Sequence, residues 1–186
     1  MNVHIRPRGF TLIELMVTVA LVTVMMTLAA SGLQRLLANQ QVSAAASDLL
    51  TASMQARSTA LKNNQRVIVQ PGTSTQAPSG TWDTGYVVYV DVAQDSTFNS
   101  GTSGTDTMVL TQEALPGGLS ISKVSGTNNF FGYEGSGFLA SIGGSANSTW
   151  LVSSTKTDRK KYMVIERSGR ARICDPLLVR SPETCP

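Results

Sequence analysis

Histidine is almost absent from this chain of 186 residues, the single example being His4. If the first nine residues are a leader that is removed, the mature chain has none. That excludes a Ser-His-Asp triad and any zinc site built on imidazole. HExxH, CxxC and the glycine loop that cradles phosphate are missing as well. With no catalytic constellation left, the chain reads as a non-enzyme without cofactor or metal. Charge is scarce too, at 15%, and it is unevenly placed. Residues 67–155 hold one base, Lys123, against six acids, whereas residues 156–186 hold eight bases against four acids. A basic end on an acidic head points to a local anionic partner rather than general stickiness.

What is plentiful is Gly, Ser and Thr in the middle of the chain, the texture of exported β-structure. Cys174 and Cys185 are the only cysteines, with ten residues between them. In an exported domain such a pair reads as one disulfide stapling the C-terminal loop. Closing so short a loop contributes roughly 2–3 kcal/mol in chain-entropy terms.

The N-terminus carries the longest apolar run. Leu15 to Gln34 is a twenty-residue stretch without a charge, about 30 Å as a helix and enough to span a bilayer. The preceding "MNVHIRPR" is basic, as a cytoplasmic lead should be. A cleaved secretory signal, with a cut near "LAASG" (28–32), and a plain membrane anchor are the two ordinary readings. The run is longer than a usual signal core, and Glu14 stands where such a signal is uncharged. Thr11 and Glu14 form T-x-x-E, a capping box for a helix starting at about Thr11. Capping does not account for a carboxylate at bilayer depth, which costs about a few kcal/mol unless paired. A cut between Gly9 and Phe10 creates an α-amine, a natural partner for Glu14.

"RGFTLIELMV" (8–17) resembles the class III signal of type IV pilins and pseudopilins. The resemblance implies a prepilin peptidase that cuts after Gly9 and methylates Phe10, leaving the apolar helix in place. It also implies that Glu14 pairs with the N-terminal amine of a neighbouring subunit during assembly. Residues 1–9 are then a cleaved leader, 10–36 the hydrophobic helix, and 37–186 a periplasmic or extracellular head. The chain sits in the inner membrane as a single pass before assembly and in the pilus afterwards.

Beyond the apolar run, Val42, Ala45, Ala46, Leu49, Ala56 and Ala60 fall on one helical stripe, with Asp48, Thr51, Gln55, Ser58 and Lys62 on another. Asn63-Asn64 marks the stop, giving a helix of about 54 residues, or about 80 Å. Ser31-Gly32 is its expected soft point. The strands expected after Gln65 are 66–70, 85–91, 107–112, 119–123, 130–133, 138–142, 149–153, 161–167 and 170–174, with loops at 71–80 and 94–106. One long helix followed by many short strands gives an α+β fold, a helix packed on antiparallel sheets, two of them expected. The stretches "ASMQARSTALKNNQRVIV", "WDTGYVVYVD" and "FFGYEGSGF" are similar to the GspH/FimT group of minor pilins and pseudopilins, in that group's order. Tyr133 or Glu134 stands near where that group often has proline, so the shape of this loop does not follow from the resemblance. The sequon Asn147-Ser148-Thr149 reads as coincidence.

"KKYMVIERSGRARIC" (160–174) is the basic hairpin. A two-residue turn at Ser168-Gly169 puts Arg167 opposite Arg170 and Arg172 on the same side. Like charges so placed need acidic neighbours or an anionic ligand. Arg159, Lys160 and Lys161 extend the patch, and Arg180 approaches through the disulfide loop. One reading is a solvated hairpin paired with Glu166, Asp175 or an adjacent subunit. The other comes from resemblance: "GRAR" is similar to the G-R-x-R motif of FimT-type minor pilins that bind DNA in natural transformation, matched by Gly169, Arg170 and Arg172. The partners implied are double-stranded DNA, without sequence preference, and other major and minor pilins. The alternative is a structural minor pilin or type II secretion pseudopilin that primes or caps a filament without touching DNA. A third reading, a Ca²⁺ site at Asp91, Asp95 and Asp106, lacks EF-hand spacing.

Overall fold

A computed structural model describes residues 9–72, 80–99, 106–126, 128–142, 147–178 and 185, with backbone only for 27–31. Residues 1–8, most of the expected leader 1–9, lie outside the described residues. The chain divides into two compact units, Met1–Leu37 and Ala38–Pro186, and the helix α1 (Leu12–Asn63) runs through both.

In the first unit α1 starts where the capping box places it. The Thr11 hydroxyl accepts the Glu14 amide at 3.3 Å, and Leu15 N–H donates to Thr11 O, which satisfies two of the free amides at the helix start. The Thr18 and Thr23 hydroxyls donate back to the carbonyls of Leu15 and Ala20. That hides their polarity within an apolar surface. Every large apolar side chain described between Leu12 and Met26 is exposed. No helix among the described residues is long and apolar enough to cross a membrane. The backbone stays helical through Ser31 and Gly32, so the expected soft point is not a break.

The second unit begins on the small stripe of α1. Val42, Ala45, Ala46, Leu49, Ala52, Ala56 and Ala60 are buried, while Asp48, Thr51, Gln55, Ser58 and Lys62 face solvent. Alanines at this spacing let sheets approach the helix backbone closely. The helix stops at Asn63 because Asn64 turns left-handed, φ 52°, a conformation asparagine tolerates at a helix end.

Two antiparallel four-stranded sheets follow. The first comprises β1 (Val67–Pro71), β2 (Tyr86–Val90), β3 (Thr107–Gln112) and β5 (Phe131–Tyr133), in the order β3-β2-β1-β5. The second comprises β4 (Leu119–Ser125), β6 (Ser148–Ser154), β7 (Thr157–Ile165) and β8 (Ala171–Cys174), in the order β4-β6-β7-β8. One core cluster joins the helix stripe to both sheets. Its centre is aromatic: Trp82 stacks on Phe131 at 6.1 Å and meets Trp150 at 4.6 Å. The Ser53 and Tyr133 hydroxyls share a hydrogen bond there, so the one polar gap in the helix stripe is filled by a phenol. A smaller cluster of Ile68, Val87, Tyr89 and Phe98 caps the opposite face of the first sheet.

Eight of the nine expected strands form, one of them at its expected bounds and the others with an end shifted by up to four residues. The exception is 138–142, which makes only a bridge between Tyr133 and Leu139. Its backbone is taken up by a tight turn at 134–137 and by Leu139 N–H donating to Arg167 O at 3.1 Å.

Burial sets the alkaline behaviour. It is the main cause that raises the phenols of Tyr86, Tyr89 and Tyr133, the last to about 12. Unfolded tyrosines ionise near pH 10, so the stability these three contribute is intact below pH 10 and is lost progressively as pH rises through each raised folded value, that of Tyr133 first. In an alkaline titration the folded protein should show no more than one tyrosine's worth of tyrosinate absorbance at pH 11. Ionisation of two or more without unfolding would contradict this packing.

Candidate nucleic-acid interface

The basic hairpin is β7 and β8 joined by a three-residue loop. Gly169 N–H donates to Glu166 O at 2.8 Å and Glu166 N–H to Arg170 O at 3.0 Å, while Gly169 takes φ +79°. This is the turn-plus-glycine-bulge form of a three-residue hairpin loop. The register follows: Ile165 pairs with Ala171 and Val164 with Arg172. Arg167 therefore sits in the loop and does not face Arg170; that position belongs to Glu166. The expected two-residue turn was one residue too short.

Alternation then sorts the basic residues onto two faces. Met163, Ile165, Ala171 and Ile173 point to the core, so Lys160, Tyr162, Arg170 and Arg172 point outward with Glu166. Arg159 and Lys161 take the opposite parity, and both meet the buried Asp175. Arg159 forms a charge-assisted hydrogen bond to it, and Lys161 stands 3.9 Å away. Asp175 offsets one of their two charges, and neither side chain lies on the outer face with Arg170 and Arg172. Asp175 also accepts Leu177 N–H, holding the turn after β8 in place.

On the outer face Arg170 is exposed and makes no ion pair with a described residue. Arg172 lies 3.9 Å from Glu166, both about 45% exposed, and such a surface pair contributes at most about 1 kcal/mol. Lys160 and Arg167 are exposed, Arg167 at the tip. Arg180 lies outside the described residues. The disulfide between Cys174 and Cys185 is formed, at the end of β8. It ties the C-terminus directly to the strand that carries both arginines.

The tip of the hairpin is fastened at several points. Arg167 N–H donates to the Asn147 side-chain oxygen at 3.2 Å, which gives the sequon asparagine a structural task. Arg57, on α1, donates from Nε to Gly137 O at 2.9 Å and from Nη2 to Ser168 O at 3.0 Å. A Cβ on Gly169 would lie 2.0 Å from Gly137 O. Gly137 closes the same kind of turn, with φ +78°, its N–H on Glu134 O and Glu134 N–H on Phe138 O. "EGSG" (134–137) and "ERSG" (166–169) thus form twin E-x-S-G turns packed against each other. The repeated pattern was visible in the sequence; its meeting at Arg57 was not.

The acidic cluster serves its own loop. Asp91 accepts the amides of Asp95 and Ser96 and stands 3.6 Å from Arg66, while Asp106 accepts those of Val92 and Asn99. Burial pushes the Asp91 carboxyl above the ordinary range, opposed by the Ser96 amide and Arg66. No set of three metal-ligating side chains occurs among the described residues.

A long N-terminal helix, two antiparallel sheets and a disulfide-closed C-terminus define a pilin-like protein. The chain belongs to the GspH family (type II transport protein GspH), whose model matches residues 45–169, and is a type IV pilin-like protein of the GspH/FimT group. The prokaryotic N-terminal methylation motif matches residues 6–30. Among solved structures, the fold is similar to the type IV minor pilin FimU of Pseudomonas aeruginosa PAO1, with TM-score 0.53 and 17% identity over 73% of this chain and 89% of that one. It is also similar to EpsH, a minor pseudopilin of the Vibrio cholerae type 2 secretion system, with TM-score 0.50 and 11% identity over 73% of this chain and 98% of that one. No curated protein matches it in sequence. The family match ends at Gly169, one residue before the first outward arginine.

Gly169→Ala should cost roughly 1–3 kcal/mol and lower Tm by several degrees, because both φ and the Gly137 carbonyl oppose a Cβ. Arg167→Ala, at the exposed tip, should stay within about 0.5 kcal/mol. Thermal unfolding of the two variants beside the native protein checks the contrast.

Proposed function

We propose that this chain is a minor pilin that joins a type IV pilus and holds extracellular DNA for uptake through the outer face of its β7–β8 hairpin. A prepilin peptidase cuts between Gly9 and Phe10 and methylates Phe10. Both residues are exposed and lie ahead of the helix start, which suits access by a peptidase. Before assembly the exposed apolar surface of α1 rests in the inner membrane, with the head in the periplasm. In the filament that surface packs against major and minor pilins, and Glu14 pairs with a neighbour's terminal amine.

The observation that carries the DNA reading is the pair Arg170 and Arg172. They lie two residues apart on one exposed face of an edge strand, with only the loose Glu166 contact between them to offset their charge. Guanidinium forks suit phosphate oxygens, and Lys160 adds a third cation on the same face. Two or three phosphate contacts give weak, sequence-independent binding, adequate for a fibre that must catch DNA and later release it. The salt slope for that number is about −2 to −3, so two contacts lose roughly tenfold in affinity between 50 and 200 mM salt.

The test titrates the full chain in detergent against short duplex DNA at those two salt concentrations, beside Arg170→Ala/Arg172→Ala. Native binding that weakens roughly tenfold with salt, and is lost in the variant, supports a DNA-uptake site. Absence of binding by the native protein at low salt would leave the basic face to a neighbouring pilin. The chain would then act as a structural minor pilin or a secretion pseudopilin.

A further inference from the structure

Resting on the DNA-binding reading of the hairpin, we propose that Arg57 is its positioning residue: the guanidinium bridges the twin turns and holds Arg170 and Arg172 as a preset fork. Arg57 lies on α1, 113 residues before Arg170, and makes no hydrogen bond to either outward arginine. Its Nε serves Gly137 O at 2.9 Å and its Nη2 serves Ser168 O at 3.0 Å, one carbonyl from each turn.

Those two carbonyls share one donor group. Gly169 packs so closely on Gly137 O that no side chain fits between the turns. A guanidinium satisfies both because its N–H groups diverge in one plane. A lysine ammonium in the same place is a point charge on a flexible stem and cannot hold that geometry. Leu139 N–H on Arg167 O and Asn147 on Arg167 N–H complete the fastening. The hairpin tip is thereby joined to the helix, the neighbouring turn and the start of β6. Arg170 is the first residue after that tip, so its backbone direction is fixed before any ligand arrives. A preordered site loses less freedom on binding.

The experiment compares the native full chain in detergent with Arg57→Lys, Arg57→Ala and Arg170→Ala/Arg172→Ala. Duplex DNA affinity is read across a salt series, and amide hydrogen exchange is read at 137–139 and 167–170. Arg57→Lys should speed exchange in both segments and weaken DNA binding about three- to tenfold. Its salt slope should equal the native one, because the phosphate contacts remain. Full affinity in Arg57→Lys would reduce Arg57 to a charge and overturn the proposal. A slope shallower by about 0.9 would make Arg57 a phosphate contact and overturn it as well. Unchanged exchange in both Arg57 variants would overturn the clamp itself, whatever DNA does. If the native protein binds no DNA, the functional reading falls and the positioning role with it, while the exchange data still decide whether Arg57 holds the turns. Should Arg57→Ala fail to fold, Arg57→Lys, which keeps the charge and most of the stem, decides alone.

Discussion

Both sheets pack against one stripe on α1, mostly of alanine, and the rest of the head is built around that shared core. Ala45, Ala46, Ala52, Ala56 and Ala60 are buried in the core cluster that the helix shares with both sheets, where a leucine at any of them would have to displace packed strand side chains. The two turns beside Arg57 form a second close contact. The two E-x-S-G turns meet there at contact distance, glycine is required where they touch, and a single arginine from the helix satisfies both. The alanine stripe and Arg57 lie on the same helix, one packing the sheets and the other joining the turns.

The hairpin's charges are divided by the same logic. Core-facing parity at the far end of β7 brings Arg159 and Lys161 to the buried Asp175, and a buried carboxylate needs such partners. Outward parity leaves Arg170, Arg172 and Lys160 on an open face with one weakly placed glutamate. A count of basic residues along the chain merges these two groups; alternation separates them. The disulfide closes immediately beyond β8, so the strand bearing the arginines is restrained at its far end by Cys174 and at its near end by the clamped tip.

The helix, its stripe, its stop at Asn63 and eight strands were legible because periodicity and turn residues encode them locally. Leu12–Asn63 and the T-x-x-E start could be read directly. The hairpin register could not: Ser168-Gly169 reads equally well as a two-residue turn, and the left-handed Gly169 that adds a residue is a conformational fact. That one-residue difference moved Arg167 from the strand to the loop and placed Glu166 opposite Arg170. The segment 138–142 has strand-like composition, yet Leu139 is drawn away by Arg167 O. Arg57 was passed over because its partners, Gly137 and Ser168, are 80 and 111 residues away. Ser31-Gly32 has a breaker's composition, yet the helix passes through it unbroken.

The central claim is that one face of the hairpin, and not the whole basic segment, receives DNA. Backbone amide chemical-shift mapping of the isotopically labelled protein during titration with duplex DNA tests it most directly. The account predicts shifts concentrated at Arg170, Arg172, Lys160 and Tyr162, with Arg159, Lys161 and Asp175 little changed. Shifts centred on Arg159 and Lys161, or spread evenly over every basic residue, would contradict it.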